Sequence, residues 1–133
     1  MLTGYAHVDL ACRDVDASIA FYRAVLDPLG LGEEVNFPGE RGETIHYLRF
    51  PRGGSIGLRQ ASEEGEPRLY APGLHHLAFA VESPGDVHVA HDAAVAAGAE
   101  VLHAPQAWPE YHPDYFATFF LDPDGIRVEV RSR

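Results

Sequence analysis

Cysteine is almost missing from this chain: Cys12 is the only one among 133 residues. No intrachain disulfide can form, and the expected setting is a reducing compartment, the cytoplasm. Long apolar runs are missing as well. No stretch approaches the roughly 18 residues of a membrane-spanning helix, so no membrane partner is expected. Residues 1–10 hold no basic stretch leading into an apolar one, so no secretory signal is read there. Positive charge is scarce, with 10 Lys and Arg against 20 Asp and Glu and a formal net charge of −10. Repulsion from phosphate removes nucleic acid from the expected partners. Finally, there is no CxxC or HExxH spacing, the usual local signature of a metal or redox site.

What is present is ordinary globular material. Hydrophobic residues at 46% and charged residues at 23% argue against disorder, and the length suits one domain with its own core. The acidic balance tolerates cationic ligands and divalent metals, and it also simply keeps a protein in solution. The 8 histidines are scattered rather than gathered in a tag, so each needs its own account.

Along the chain, residues 5–12 alternate in character and read as a strand, with Val8, Leu10 and Cys12 on one face and His7, Asp9 and Ala11 on the other. Asp14, Asp16 and Ser18 then mark a helix start. Ile19, Tyr22, Val25, Leu26 and Leu29 form a single apolar stripe, and Gly30 and Gly32 end the helix. Three strands are expected near residues 34–37, 44–50 and 55–60, with glycine-bearing turns between them. Residues 61–73 are polar and read as a linker. The same order then recurs: an alternating strand at 74–81, an alanine-rich helix near 86–97 closed by Gly98, and strands near 100–104, 115–121 and 126–131. Asp122-Pro123-Asp124-Gly125 joins the last two with strong turn chemistry.

This recurrence is the main organisational signal. Residues 6–11 align with residues 75–80, so His7 and His76 hold the same place in each half, and residues 56–58 align with residues 128–130. The expectation is a single α+β domain over 1–133, made of two βαβββ modules, about 4–60 and 74–133, that form a half-open barrel of mixed sheet. Neighbours on a strand point to opposite faces. His7 and His76 therefore fall opposite the apolar stripe, and Glu129 does the same on the last strand. If the stripes pack under the helices, the other faces line a concave cleft. Two imidazoles and a carboxylate meeting there make a facial metal site with open positions.

His7, residues 16–30 (Asp16-Ala-Ser18-Ile-Ala-Phe21-Tyr22-Arg-Ala-Val-Leu26-Asp-Pro-Leu29-Gly30), residues 73–81 (Gly73-Leu-His75-His76-Leu-Ala-Phe-Ala-Val81) and residues 119–130 (Phe119-Phe-Leu-Asp122-Pro-Asp-Gly125-Ile-Arg-Val-Glu129-Val) together resemble the vicinal oxygen chelate superfamily. That superfamily holds glyoxalase I, extradiol dioxygenases, fosfomycin resistance enzymes, methylmalonyl-CoA epimerase and bleomycin-binding proteins. The resemblance spans nearly the whole chain. It implies paired βαβββ modules and places the metal ligands on His7, His76 and Glu129, around a divalent ion such as Fe, Mn, Zn or Ni. It favours a homodimer in which modules of different chains face each other, with two equivalent sites between chains; pairing of the two modules within one chain is the alternative, and the linker at 61–73 has the length and polarity to permit either.

The chain departs from the family at several points. The fourth ligand of glyoxalase I, a carboxylate, falls on Gly57, so that activity is not expected. The hydroxyl that fosfomycin enzymes carry two residues after the first histidine falls on Asp9. The acid/base tyrosine of extradiol enzymes falls near Phe119. The expectation is a metal-dependent enzyme, lyase, isomerase or dioxygenase-like, that chelates a small-molecule substrate through vicinal oxygens. The alternatives are a metal-free protein that sequesters a bleomycin-type antibiotic, and a scaffold with a vestigial site. Trp108, Tyr111, His112 and Tyr115 form either a rim over the cleft, with Tyr115 and His112 as catalytic acid/base candidates, or a packed loop. His46 either faces the cleft or lies on the surface. Arg127 shares a face with Glu129 and either binds an anionic substrate or pairs with a carboxylate. His88, His91 and His103 are expected on the surface, and Cys12 as a buried, inert thiol.

Overall fold

The computed structural model describes all 133 residues. The order is β1 (His7–Cys12), α1 (Val15–Leu26) with a 3-10 turn at Asp27–Leu29, β2 (Glu34–Pro38), β3 (Thr44–Arg49) and β4 (Ser55–Gln60), then β5 (Leu77–Ala80), α2 (Pro84–Ala96), β6 (Val101–Ala107), β7 (Phe116–Leu121) and β8 (Arg127–Ser132). The strands make two four-stranded sheets of matching order, β1-β4-β3-β2 and β5-β8-β7-β6. In each, the first and last strands of the module pair in parallel and the rest antiparallel. The expected repeat is therefore present: β1 and β5 hold equivalent edge positions, and neither sheet closes into a barrel.

Local chemistry explains the element limits. Asp14 caps α1 by accepting from the Ala17 N–H at 3.2 Å. The helix gives way to the 3-10 turn at Asp27-Pro28, because proline has no N–H to extend the ladder, and Gly30 leaves it at φ 94°. Ser83 and Asp86 form a reciprocal capping box on α2, with Pro84 in its first turn. Most boundaries shift by one or two residues from expectation, and two by three: the sixth strand runs on to Ala107 rather than 104, and the fifth starts late. The fifth strand begins at Leu77 rather than 74, and just before it the Nδ1 atoms of His75 and His76 lie 2.7 Å apart. Adjacent side chains on a regular strand point to opposite faces and cannot approach so closely.

The helix-side faces of both sheets share one core. Leu10, Cys12, Tyr22, Val25, Leu48, Ile56 and Leu58 from module one join Ala90, Ala94, Phe120, Val128 and Val130 from module two. Ring contacts cross the boundary, Phe21 to Phe120 at 6.0 Å and Phe50 to Phe79 at 5.8 Å. A polar latch reinforces it. The Asp122-Pro123-Asp124-Gly125 turn docks on α1, where Asp122 Oδ2 accepts from the Tyr22 hydroxyl at 2.8 Å. Asp124 accepts from the Arg13 N–H at 3.0 Å and lies 3.4 Å from the Ser18 hydroxyl. Because the modules meet back to back, the two concave faces point away from this core and stay open.

Candidate functional site

In module two, strand register fixes what lines the concave face. Glu129 on β8 lies between Ala78 on β5 and Phe119 on β7, and the period of two puts Arg127 and Arg131 on the same side as Glu129. The Glu129 side chain is only 4% exposed. Its Oε1 lies 3.1 Å from His76 Nε2, and its Oε2 accepts from the Tyr115 hydroxyl. Burial first, and then the Glu129 carboxylate, push the Tyr115 phenol up to about 12, so it stays protonated at neutral pH. On the far side of His76, Nδ1 shares a hydrogen with His75 Nδ1 at 2.7 Å. Without a metal, the His76 Nε2 hydrogen is donated to Glu129 Oε1 and His76 Nδ1 accepts from His75; a hydrogen moved to His76 Nδ1 and donated to His75 would free the Nε2 lone pair for a metal ion.

Aromatic rings build one wall of this face. Trp108 packs on Phe119 at 5.4 Å, on His103 at 5.1 Å and on Tyr111 at 6.1 Å, and Tyr111 meets Tyr115 at 5.4 Å. The loop is closed by a Trp108 N–H bond to the Tyr115 carbonyl at 2.8 Å. Of the two acid/base candidates it carries, Tyr115 is brought to Glu129. His112 is exposed and accepts from the Asp114 N–H at 3.2 Å within its own turn.

The concave face of module one carries His7, which lines a shallow hollow of about 430 Å3 with Phe37, Tyr47 and Ser55. Asp9 lies beside it, with Oδ1 4.0 Å from His7 Nε2. Asp9 Oδ2 accepts from Arg59 at 2.5 Å and from the Tyr47 hydroxyl at 3.2 Å. Asp9 also explains Gly57, its partner in register. A Cβ at position 57 would meet Asp9 Oδ1 at 2.3 Å and Tyr47 Cε1 at 2.6 Å. The space of the missing fourth carboxylate is filled from the neighbouring strand.

The structure thus brings His76 and Glu129 together and leaves His7 on the other sheet; within one chain no three His, Cys, Asp or Glu side chains gather to hold a metal. Other expectations need correction. His46 does not face the cleft: it pairs in register with core Leu58, on the helix side of β3, and bonds Glu34 at 2.9 Å. His103 is not a surface residue but is half-buried in the aromatic wall. Arg127 pairs with no carboxylate and lies over the Phe119 ring. His88 is exposed as expected, and Cys12 is buried, its thiol pushed up to about 11 mainly by burial. Sequence reasoning passed over two residues, His75 and Arg131. The His-His dipeptide and the i±2 spacing of Arg127 and Arg131 about Glu129 were the available signals.

The donors present fit a divalent ion. Adjacent ligands of a first-row metal with bonds near 2.1 Å lie about 3.0–3.4 Å apart, and His76 Nε2 and Glu129 Oε1 are 3.1 Å apart. Outer partners for both, His75 and Tyr115, are already in place. A larger groove of about 580 Å3 lies between the modules, among Leu29, Leu31, Phe50 and Phe79, but it is mostly apolar and holds no imidazole.

Known proteins agree with this architecture. A protein of Arabidopsis thaliana named Glyoxylase I 4 is 30% identical over 135 residues, covering 97% of this chain and 70% of that protein. The crystal structure of a glyoxylase/bleomycin resistance protein/dioxygenase domain from Frankia sp. EAN1pec superposes with a TM-score of 0.82 at 32% identity, over 99% of this chain and 93% of that one. A mutant fosfomycin resistance protein, FosX, from Listeria monocytogenes, complexed with Mn(II) and a dihydroxypropylphosphonic acid, shares the fold at 18% identity and a TM-score of 0.68, over 99% of this chain and 93% of its own. The family model for these proteins matches residues 4–130, the span of both modules, and the chain belongs to the Glyoxalase/Bleomycin resistance protein/Dioxygenase superfamily.

Proposed function

We propose that this chain is a divalent-metal-dependent enzyme that chelates a small substrate through vicinal oxygens, with each site completed between two copies of the chain. The observation that carries the proposal is the His76–Glu129 pair, set at ligand spacing on an open concave face. His76 and Glu129 of one copy and His7 of the other would hold the ion. When bound there, the metal would supply Lewis acidity toward a substrate oxygen. Tyr115, protonated and bonded to Glu129, orients that carboxylate and is the group of this chain best placed to hold a proton beside the substrate.

Surface area supports pairing between copies. The chain exposes 8032 Å2, against about 6,900 Å2 for a compact monomer of its mass. Facing module one of one copy against module two of the other would bring His7 to His76 and Glu129 and cover exposed Phe37 and Tyr111. Because Asp9 and Tyr47 fill the space at Gly57, the reading excludes glyoxalase I chemistry, and enzymatic turnover of the methylglyoxal–glutathione hemithioacetal would overturn that part.

The test is metal content in protein purified without chelator or nickel resin. His76→Ala loses most metal and His88→Ala keeps it; equal content in both refutes the ligand assignment. Mixing dissociated His7→Ala and Glu129→Ala chains should restore one intact site of two. If no metal binding returns on mixing, the interchain site is wrong. The second reading, a metal-free binder of a cationic antibiotic, draws on the net charge of −10 and on a Glu129 whose two oxygens already have protein partners. It predicts no metal in either protein and saturable bleomycin binding.

A further inference from the structure

All ten basic residues of the chain are arginines. Six of them, Arg13, Arg23, Arg41, Arg49, Arg52 and Arg59, are paired with carboxylates. Arg68 and Arg133 are exposed. That leaves Arg127 and Arg131, both half-buried, neither with an acidic partner, in a chain that carries twice as many acids as bases. They stand two residues before and two after Glu129 on one face of β8. Each guanidinium lies over an aromatic ring: Arg131 Cζ is 4.3 Å from the centre of Tyr115, and Arg127 Cζ is 5.2 Å from that of Phe119. The Nε atom of each is buried without a hydrogen-bond partner, as is that of Arg59, but neither has the carboxylate partners that Arg59 has at its terminal nitrogens.

The other module shows what an arginine here does when a carboxylate is within reach. Arg59 pairs in register with Ala11 as Arg131 does with Ala80, so the two hold equivalent places. Arg59 is bonded to Asp9 at 2.5 Å and to Glu40 at 3.0 Å. Across from β8 the residue matching Asp9 is Ala78, which has no charge to give. A buried donor left unpaired costs stability, and a cation held against a ring, with little freedom to move, is well prepared to receive an anion.

We infer that Arg127 and Arg131 are the counter-ions of an oxyanion group on the substrate, either a carboxylate or a phosphorus oxyanion, that binds beside its metal-chelating oxygens. The inference rests on the proposed site but not on the metal itself. Residues two apart on a strand are separated by about 7 Å, so the charged group of the substrate lies a few bonds from the chelated oxygens. A neutral substrate would leave both guanidiniums uncompensated.

The test is calorimetric titration of inorganic phosphate and of malonate into the full chain, both stripped of metal and loaded with Mn(II), at low salt. The expected result is saturable binding of at least one anion. Replacing both residues together, Arg127→Gln and Arg131→Gln, should weaken that binding at least about tenfold. The pair Arg127→Lys and Arg131→Lys, which keeps the charge but not the stacked guanidiniums, should bind more tightly than the double Gln variant and more weakly than the original chain, and Arg52→Gln should not matter. The tighter of the two anions identifies a phosphorus or a carboxylate group. If neither anion binds the original chain, or if both bind the double Gln variant equally well, the inference is wrong. It is also wrong if the double variant changes sedimentation but not anion affinity, because the arginines then serve an interface. Arginine-dependent phosphate binding with no Mn(II) binding would uphold this inference and sink the metal reading. Mn(II) binding lost in His76→Ala, with anions indifferent to the arginines, would do the reverse.

Discussion

The two concave faces are built on one register and carry opposite chemistry. In module one the carboxylate comes from the edge strand: Asp9 on β1, opposite Gly57 on β4. In module two it comes from the neighbouring strand: Glu129 on β8, opposite Ala78 on β5. The acid has crossed the ladder, and its surroundings change with it. Asp9 is held by Arg59 and Tyr47, a closed ionic cluster. Glu129 is held by a neutral phenol and an imidazole, while the matching arginine turns to the ring of Tyr115. The first face uses its charge to fix structure. The second keeps an acid and two guanidiniums uncommitted to one another, which is the condition a binding site needs.

Removing the two acids is the strongest way to break this contrast. Glu129→Gln should lower metal affinity by about a hundredfold or more, with little change in melting temperature. Asp9→Asn should change metal affinity by no more than about tenfold while lowering the melting temperature, because Arg59 loses its nearest partner. Metal titration and thermal melts of both variants decide it, and matched behaviour would erase the distinction. Next in size is Gly57→Ala. The new Cβ would press on Asp9 and Tyr47, costing about 1–3 kcal/mol. Adding Asp9→Ala should recover part of that, a coupling a double-mutant cycle reads directly. The reciprocal change, Ala78→Gly, should show no such coupling with Glu129→Ala.

The shared back of the molecule sharpens the comparison, since it should respond in both modules at once. Tyr22→Phe strips Asp122 Oδ2 of its hydroxyl donor and should cost about 1–2 kcal/mol, measured by urea unfolding, without changing metal binding. The smallest effect concerns alkaline pH. The Cys12 thiol rises from 9.0 to about 11, chiefly by burial, and burial and Asp122 hold the Tyr22 phenol well above its usual value. Both protons are kept by the folded chain after the unfolded chain has lost its own. Stability is therefore full below pH 9 and falls as pH rises through 9 to 11. Cys12→Ala should flatten that fall in melts across the same range; an unchanged slope would mean that Cys12 contributes nothing to it.

Much of the architecture was legible in the sequence because the signals were local. Alternation placed His7 and Glu129 on the faces they occupy, His76 reaches Glu129 from just before β5, and the strand expected at 55–60 is β4. Asp14 marked the start of the first helix and Gly98 the end of the second, while the Ser83 cap was passed over and the second helix was expected two residues late. The signals that failed were tertiary. Nothing in the spacing of Asp122 and Asp124 shows that they dock on α1, so the turn read as a hairpin when it is also the latch between modules. Whether His46 met the cleft or the helix side depended on register with β4, and His103 on the bulges between β6 and β7. Asp9 and Gly57 read as two separate departures from the family pattern, and only the parallel pairing of β1 with β4 shows them to be one.

That pairing also shapes what mutation can reach. Any glycine codon becomes an aspartate or glutamate codon by a single nucleotide change, so an acid at position 57 looks one step away. Asp9 and Tyr47 already fill the space such a side chain would enter. Asp9 would have to be lost first, and its loss leaves Arg59 without its nearest counter-ion. The order of the two steps is thereby constrained, and the intermediate genotype is the less stable one. A lineage carrying this Asp9–Arg59 pair is held by it to a residue without a side chain at position 57, whatever selection might reward there.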